Sequence, residues 1–149
     1  VERVSDHLKV PGADLPRASA RGAVAGADAV VSARAAVRAV GTGYLRFARR
    51  ETGLFRTAFA SAAPVAGVRD PAKAGTSGLN PFELLGTALD RLVDAGAMPA
   101  ERRPGAEYLA WSAVHGMAMM AIDGPLRGLD DAQLDALGQR LLDMVERGL

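Results

Sequence analysis

Cysteine is absent from the 149 residues, which excludes disulfides, thiol catalysis and cysteine-ligated zinc or iron–sulfur centres. Histidine occurs only at His7 and His115, too far apart in sequence for a local zinc pair, and lysine only at Lys9 and Lys73. Neither lysine has the apolar surroundings that a desolvated nucleophile requires. There is no phosphate-cradling glycine loop, dinucleotide fingerprint or nucleophile elbow. Asp90 and Asp94 lie one helical turn apart and read as a solvated face, so no enzyme, metal or cofactor is expected. Long hydrophobic runs are missing too: the longest, Met117 to Ile122, is far short of the roughly 20 residues that cross a bilayer. With a net charge of +1, the chain has no electrostatic footprint for holding nucleic acid by itself. It opens on valine, and Val1 to Val10 is amphipathic, unlike a signal peptide. The expectation is a fragment or processed product of a cytoplasmic protein.

What is present suits one globular domain. Hydrophobic residues make up 49% and charged residues 23%, outside the range of disordered chains. Because aromatics are only 5%, alanine, leucine, valine, methionine and glycine must fill most of the interior. Val1, Val4 and Leu8 share a face that Pro11-Gly12 interrupts, so residues 1–10 read as the last turns of a helix. Residues 11–27 read as a loop or weak helix, and the spacing of Gly22 and Gly26 as compositional bias. A long amphipathic helix is expected from Asp28, as N-cap, to Thr52, with Val30, Val37, Val40, Tyr44, Phe47 and Ala48 on one stripe and Gly53 leaving in the left-handed conformation. Gly41 and Gly43 inside it each cost about 1 kcal/mol relative to alanine, which a close neighbour at that point would explain.

Leu54, Phe55, Ala58 and Phe59 are predicted to face inward from a short helix, followed by a variable connection over residues 61–79. Asn80-Pro81-Phe82-Glu83 has the pattern of a capping box with proline at the first helical position. Phe82, Leu85, Leu89, Leu92 and Val93 form the stripe of that helix, and Gly96 ends it. The last helix is predicted to start at Asp130 or Asp131 with Gln133 in the capping-box position. Its stripe is Leu134, Leu137, Leu141, Leu142, Met144 and Val145. No strand alternation occurs, so the class is all-α: an antiparallel helical bundle whose two C-terminal helices form a hairpin.

Between these lies Tyr108 to Ile122, helical in period and apolar on nearly every side. Tyr108, Trp111, His115, Met119 and Ile122 project one way, and Leu109, Ala113, Gly116, Met117 and Met120 roughly the other. A helix with no polar face has no side to give to water. One small core covers it once, so the second cover is expected to be another copy of the chain. The expected arrangement turns the bulky side inward and gives the side with Ala106, Ala110, Ala113, Gly116 and Met117 to the partner. Leu109, Met120, Leu134, Leu137, Leu141 and Val145 would complete a four-helix interface. Large side chains beside many small ones also suit an apolar pocket with few polar groups. Its expected lining is Tyr44, Phe47, Phe59, Phe82, Leu85, Leu89, Trp111, His115 and Met119, with His115 as the polar member.

Trp111-x-x-x-His115-Gly116 within an apolar helix resembles the W-H-G signature of one group of TetR-family transcriptional regulators, in their C-terminal domain. Tyr44-Leu-Arg-Phe47-Ala48 followed by Gly53-Leu54-Phe55-Arg56 is similar to that group's aromatic helix ending in P-G-L-F/Y-R, here with Thr52 in place of the proline. The resemblance spans about residues 28–149. It implies a ligand-sensing and homodimerising domain of a one-component regulator, expected to be a repressor. A small hydrophobic effector would bind here, and operator DNA would be bound only by a helix-turn-helix domain that these residues lack. Residues 1–10 would then be the remnant of the connector between the two. The alternative is a structural or adaptor bundle that dimerises without a ligand.

Overall fold

The computed structural model describes residues 17–60 and 78–149. Helix α1 (Arg17–Arg50) is the spine, and α2 (Thr52–Phe59), α3 (Pro81–Asp94), α4 (Ala106–Ile122) and α5 (Asp131–Gly148) follow, with one 3-10 turn at Ala100–Arg102. No strand occurs among the described residues, in line with the all-α expectation. Residues 1–10, expected as a helix remnant, lie outside the described residues.

Helix α1 starts well before Asp28, which corrects the predicted N-cap there. After Pro16 no proline occurs until Pro64, and the intervening stretch is rich in alanine, the best helix former. Residues 22–29 are exposed along this stretch, and beyond them burial begins at Ala33. From there Ala33, Val37, Tyr44 and Ala48 give the buried stripe, while Phe47 stays on its edge. Gly53 does not take the left-handed conformation and lies within α2. The end of α1 is satisfied by Thr52 instead, whose hydroxyl donates to the carbonyls of Ala48 and Arg49 at 3.0 and 3.1 Å, groups that a helix end leaves unpaired.

Both capping boxes form as the sequence predicts. Asn80 accepts from the Glu83 amide and Glu83 accepts from the Asn80 amide. Asp130 and Gln133 do the same at α5. Gly96 closes α3 with φ of 69°, and Gly105, at 78°, turns the chain into α4.

Glycine decides how α1 meets α5. A Cβ on Gly41 would collide with Cδ2 of Leu142, and one on Gly138 would stand 3.1 Å from Cδ1 of Leu45. Each helix therefore seats a leucine over the other's glycine, the close approach that Gly41 predicts. Gly43 is different: it has open space around it. Polar pairs run along the same seam antiparallel: Arg49 meets Asp131 and Asp135, and Arg38 meets Gln139, Asp143 and Glu146. Most of these carboxylates are solvent-exposed, so the pairs set register more than they stabilise.

The interior divides into two clusters. One joins Ala33 and Val37 of α1 with Leu85, Ala88, Leu89 and Leu92 of α3, Met98, and Ala106 and Ala110 of α4. The other joins Tyr44, Leu45 and Ala48 with Phe55 of α2, Val114, Met117, Ala118 and Ile122 of α4, and Leu142 of α5. Trp111 packs against both.

The facing of α4 differs from the expectation. Ala106, Ala110, Val114, Met117, Ala118 and Ile122 are its buried residues, so alanines from the side expected to meet a partner line the inside together with Val114, Met117 and Ile122. Tyr108 and Met119, expected inside, are 52% and 39% exposed, as are Leu109 at 69% and Met120 at 43%. The buried positions recur at helical spacing, Ala106, Ala110, Val114, Met117 and Ala118 on one face, which turns Tyr108 and Met119 outward. The outer side of α4 is still apolar, now with large side chains.

Candidate functional site

Six ring side chains converge where α1, α2, α3 and α4 meet. Helix α1 supplies Tyr44. Helix α2 presents Phe55 and Phe59 four residues apart, and α4 presents Trp111 and His115 at the same spacing, so each pair shares a face. Phe82 enters from the first turn of α3, fixed by the Asn80 cap. Tyr44 stands edge-on to Trp111 at 4.8 Å, to Phe55 at 5.6 Å and to Phe59 at 5.9 Å between centroids. Phe59 lies 5.6 Å from Trp111 and 5.3 Å from His115, and Phe82 lies 5.8 Å from Trp111. These spacings fall in the favourable range for edge-to-face aromatic pairs.

The polar groups among these rings are the Tyr44–His115 pair and the indole N–H of Trp111. The Tyr44 hydroxyl and His115 Nδ1 are 2.8 Å apart, with the imidazole stacked between Phe55 at 5.7 Å and Trp111 at 6.2 Å. Burial lowers the His115 pKa below its ordinary value, because the apolar surround disfavours imidazolium. Burial likewise raises the Tyr44 pKa, so both groups are neutral at pH 7. Tyr44 is buried and His115 half-buried, and no charged residue is buried among the described residues.

Beside the rings runs a cleft lined by Val37, Val40, Gly41, Tyr44, Pro81, Leu85, Ala110, Trp111, Val114, Leu142 and Val145, with a cavity volume of about 20 Å³. That is room for about one water. A ligand larger than this must part the rings or the helices that carry them. Chemically the arrangement offers aromatic faces, aliphatic walls, one neutral hydrogen-bonding pair and the indole N–H of Trp111. Among the described residues no cluster of His, Asp and Glu could hold a metal, and no helix is long and apolar enough to cross a membrane.

Of the residues predicted to line the pocket, the structure brings together Tyr44, Phe59, Phe82, Trp111 and His115, with Leu85 on the cleft wall. Phe47 sits at the rim, 38% exposed and 6.2 Å from Phe55. Leu89 is fully buried in the α1–α3 core, and Met119 lies on the outer side of α4. Phe55 is the residue that the expected lining omits. Its signal is the spacing to Phe59; both face inward as expected, whereas Leu54, also expected inward, is 62% exposed.

The residues predicted for pairing with a second copy also divide. Met117 and Leu134 are only 7% and 8% exposed within the single chain. Leu137 and Leu141 pack partly against the aromatic cluster, and Val145 against the α1–α3 cluster. Leu109 and Met120 remain on the surface, with Ala113 and Gly116 half-buried between them.

A family model described as tetracyclin repressor-like, C-terminal domain, matches residues 37–145. No curated protein and no solved structure matches the chain.

Proposed function

Because the chain belongs to the tetracyclin repressor-like C-terminal domain family, whose members are regulatory domains, we propose that it senses a small, largely apolar effector and dimerises for a transcriptional repressor. The observation that carries the sensing role is the ring cluster around Tyr44 and His115. A solid core needs no neutral hydrogen-bonding pair held among four other rings, whereas a pocket for an apolar molecule uses few polar groups to orient it. The second copy covers the outer side of α4, where Leu109, Met119 and Met120 are exposed around Ala113 and Gly116, together with Leu137, Leu141 and Met144 of α5. A helix-turn-helix domain outside these residues contacts operator DNA, and residues 1–10 connect it to the bundle. By linkage, an effector that prefers the shape unable to bind DNA lowers operator affinity by the factor by which DNA lowers effector affinity. Such a regulator works in the cytoplasm.

The test is a thermal-shift screen of chemically diverse apolar metabolites. At least one raises the melting temperature in proportion to the logarithm of its concentration, since binding to the native state adds stability. Silence across the collection favours the adaptor bundle without a ligand, the reading that the small cavity volume supports.

A further inference from the structure

A cleft with room for one water admits an effector only if part of the bundle moves, and the helices are unequally held. Helices α1 and α5 are locked by the Gly41–Leu142 and Leu45–Gly138 contacts, α3 and α5 start in capping boxes, and α4 rests in the core at both ends, from Ala106 to Ile122. Helix α2 has none of these supports. Its eight residues are too few for a helix to be stable by itself. Glu51 breaks helical geometry between α1 and α2, with φ of −119° and ψ of 47°, and gives α2 no side-chain cap. Beyond Thr52, two attachments hold it. Phe55, fully buried, and Phe59 press on the rings of α1 and α4, and Arg56 forks onto Asp123, with Nε 3.3 Å from Oδ2 and Nη2 on Oδ1. Asp123 ends α4, where a carboxylate opposes the helix dipole. The hydrogen bond from Arg56 offsets this and lowers the Asp123 pKa.

What α2 backs is the wall of the cleft. Tyr44 and Trp111 line the cleft, and both also stand against Phe59, at 5.9 and 5.6 Å. When α2 swings out about Glu51, these two rings lose the neighbours behind them, and the cleft widens towards the space that Phe55 and Phe59 leave. We propose, resting on the sensing role above, that α2 is the gate of the pocket and the Arg56–Asp123 pair its latch: the effector enters while the pair is broken and is held once it re-forms. Because Phe55 leaves the core with α2, the open form is a minor population. The latch itself is exposed, 54% at Arg56 and 47% at Asp123, so losing it raises that population by a modest factor, about two- to fivefold.

Hydrogen exchange reads the latch without any ligand. In Arg56→Gln and in Asp123→Asn the amides of Phe55 to Phe59 should exchange about two- to fivefold faster than in the native chain, and the double variant should be no faster than either single one. Stopped-flow binding of N-phenyl-1-naphthylamine, an uncharged dye that fluoresces in apolar sites, reads the gate. Its association and dissociation rates should both rise by that factor in the variants while Kd stays within about twofold, because the latch is closed in the free and the occupied forms alike. A pair that only shapes the pocket would change Kd through dissociation alone, and that result overturns the proposal, as does exchange in α2 that neither variant changes. Rates unaltered by both variants, for the dye or for a compound that the thermal-shift screen finds to bind, overturn the gate and leave the sensing role standing. A chain that binds neither the dye nor any screened compound removes both.

Discussion

Replacing Gly41 and Gly43 separately with alanine should change stability in opposite directions, although the two lie two residues apart in the same helix. Either substitution gains about 1 kcal/mol of helix propensity. At Gly43 nothing lies within 4 Å of the new Cβ, so the gain stands alone and the variant should be more stable by about 0.5–1 kcal/mol. At Gly41 the Cβ meets Leu142, a core residue only 3% exposed with little room to turn. Overpacking of this kind costs about 1–3 kcal/mol, leaving a net loss of about 0–2 kcal/mol. Urea unfolding followed by far-ultraviolet circular dichroism reads both, at one fixed protein concentration because the proposed pairing of copies would link stability to concentration. Leu142→Ala supplies the cycle: its own cost of about 2–5 kcal/mol should shrink when Gly41 is already alanine, because the methyl enters the vacated space. Equal stabilisation by both glycine substitutions, with no coupling to Leu142, would refute the interlocked packing of α1 and α5.

Phe55→Ala removes the largest fully buried ring and should cost about 3–5 kcal/mol, read as a lowered urea midpoint together with exposed-surface dye binding. Asp130→Ala breaks the α5 capping box and should cost about 1 kcal/mol without changing the denaturant slope. For pH, the sign follows from His115: its folded pKa is depressed by burial, so the unfolded chain binds the proton first as pH falls. Stability is full above the unfolded value of about 6.5, declines as pH drops towards the lower folded value, and levels off beyond it. In His115→Phe that decline should be lost from urea midpoints measured across the window, and an unchanged slope would count against a buried neutral imidazole.

The local parts of the fold were legible and the mutual facing of helices was not. Capping boxes at Asn80–Glu83 and Asp130–Gln133 depend on residues three apart, so the sequence carries all the information they need. The start of α1 is hidden because an alanine-rich stretch after Pro16 contains no stop signal. Helix α4 is the instructive failure: with apolar residues all round, its period names two faces but does not say which is inside. That choice is made by the packing of α4 on α1, α3 and α5, which takes in Ala106, Ala110, Val114, Met117, Ala118 and Ile122. The gathering of Tyr44, Phe59, Phe82, Trp111 and His115 follows from inward-facing positions on four helices, with Trp111 and His115 one turn apart on α4. The pairing of Tyr44 with His115 joins residues far apart in the chain, and no local spacing announces it.

The most direct test of the account concerns the exposed apolar side of α4. Sedimentation velocity at micromolar concentration should give twice the mass of one chain, and charge placed on that side by Leu109→Glu/Met120→Glu should return single chains with unchanged helix content. A native chain that sediments as a single copy, or a pair that survives both glutamates, would contradict it.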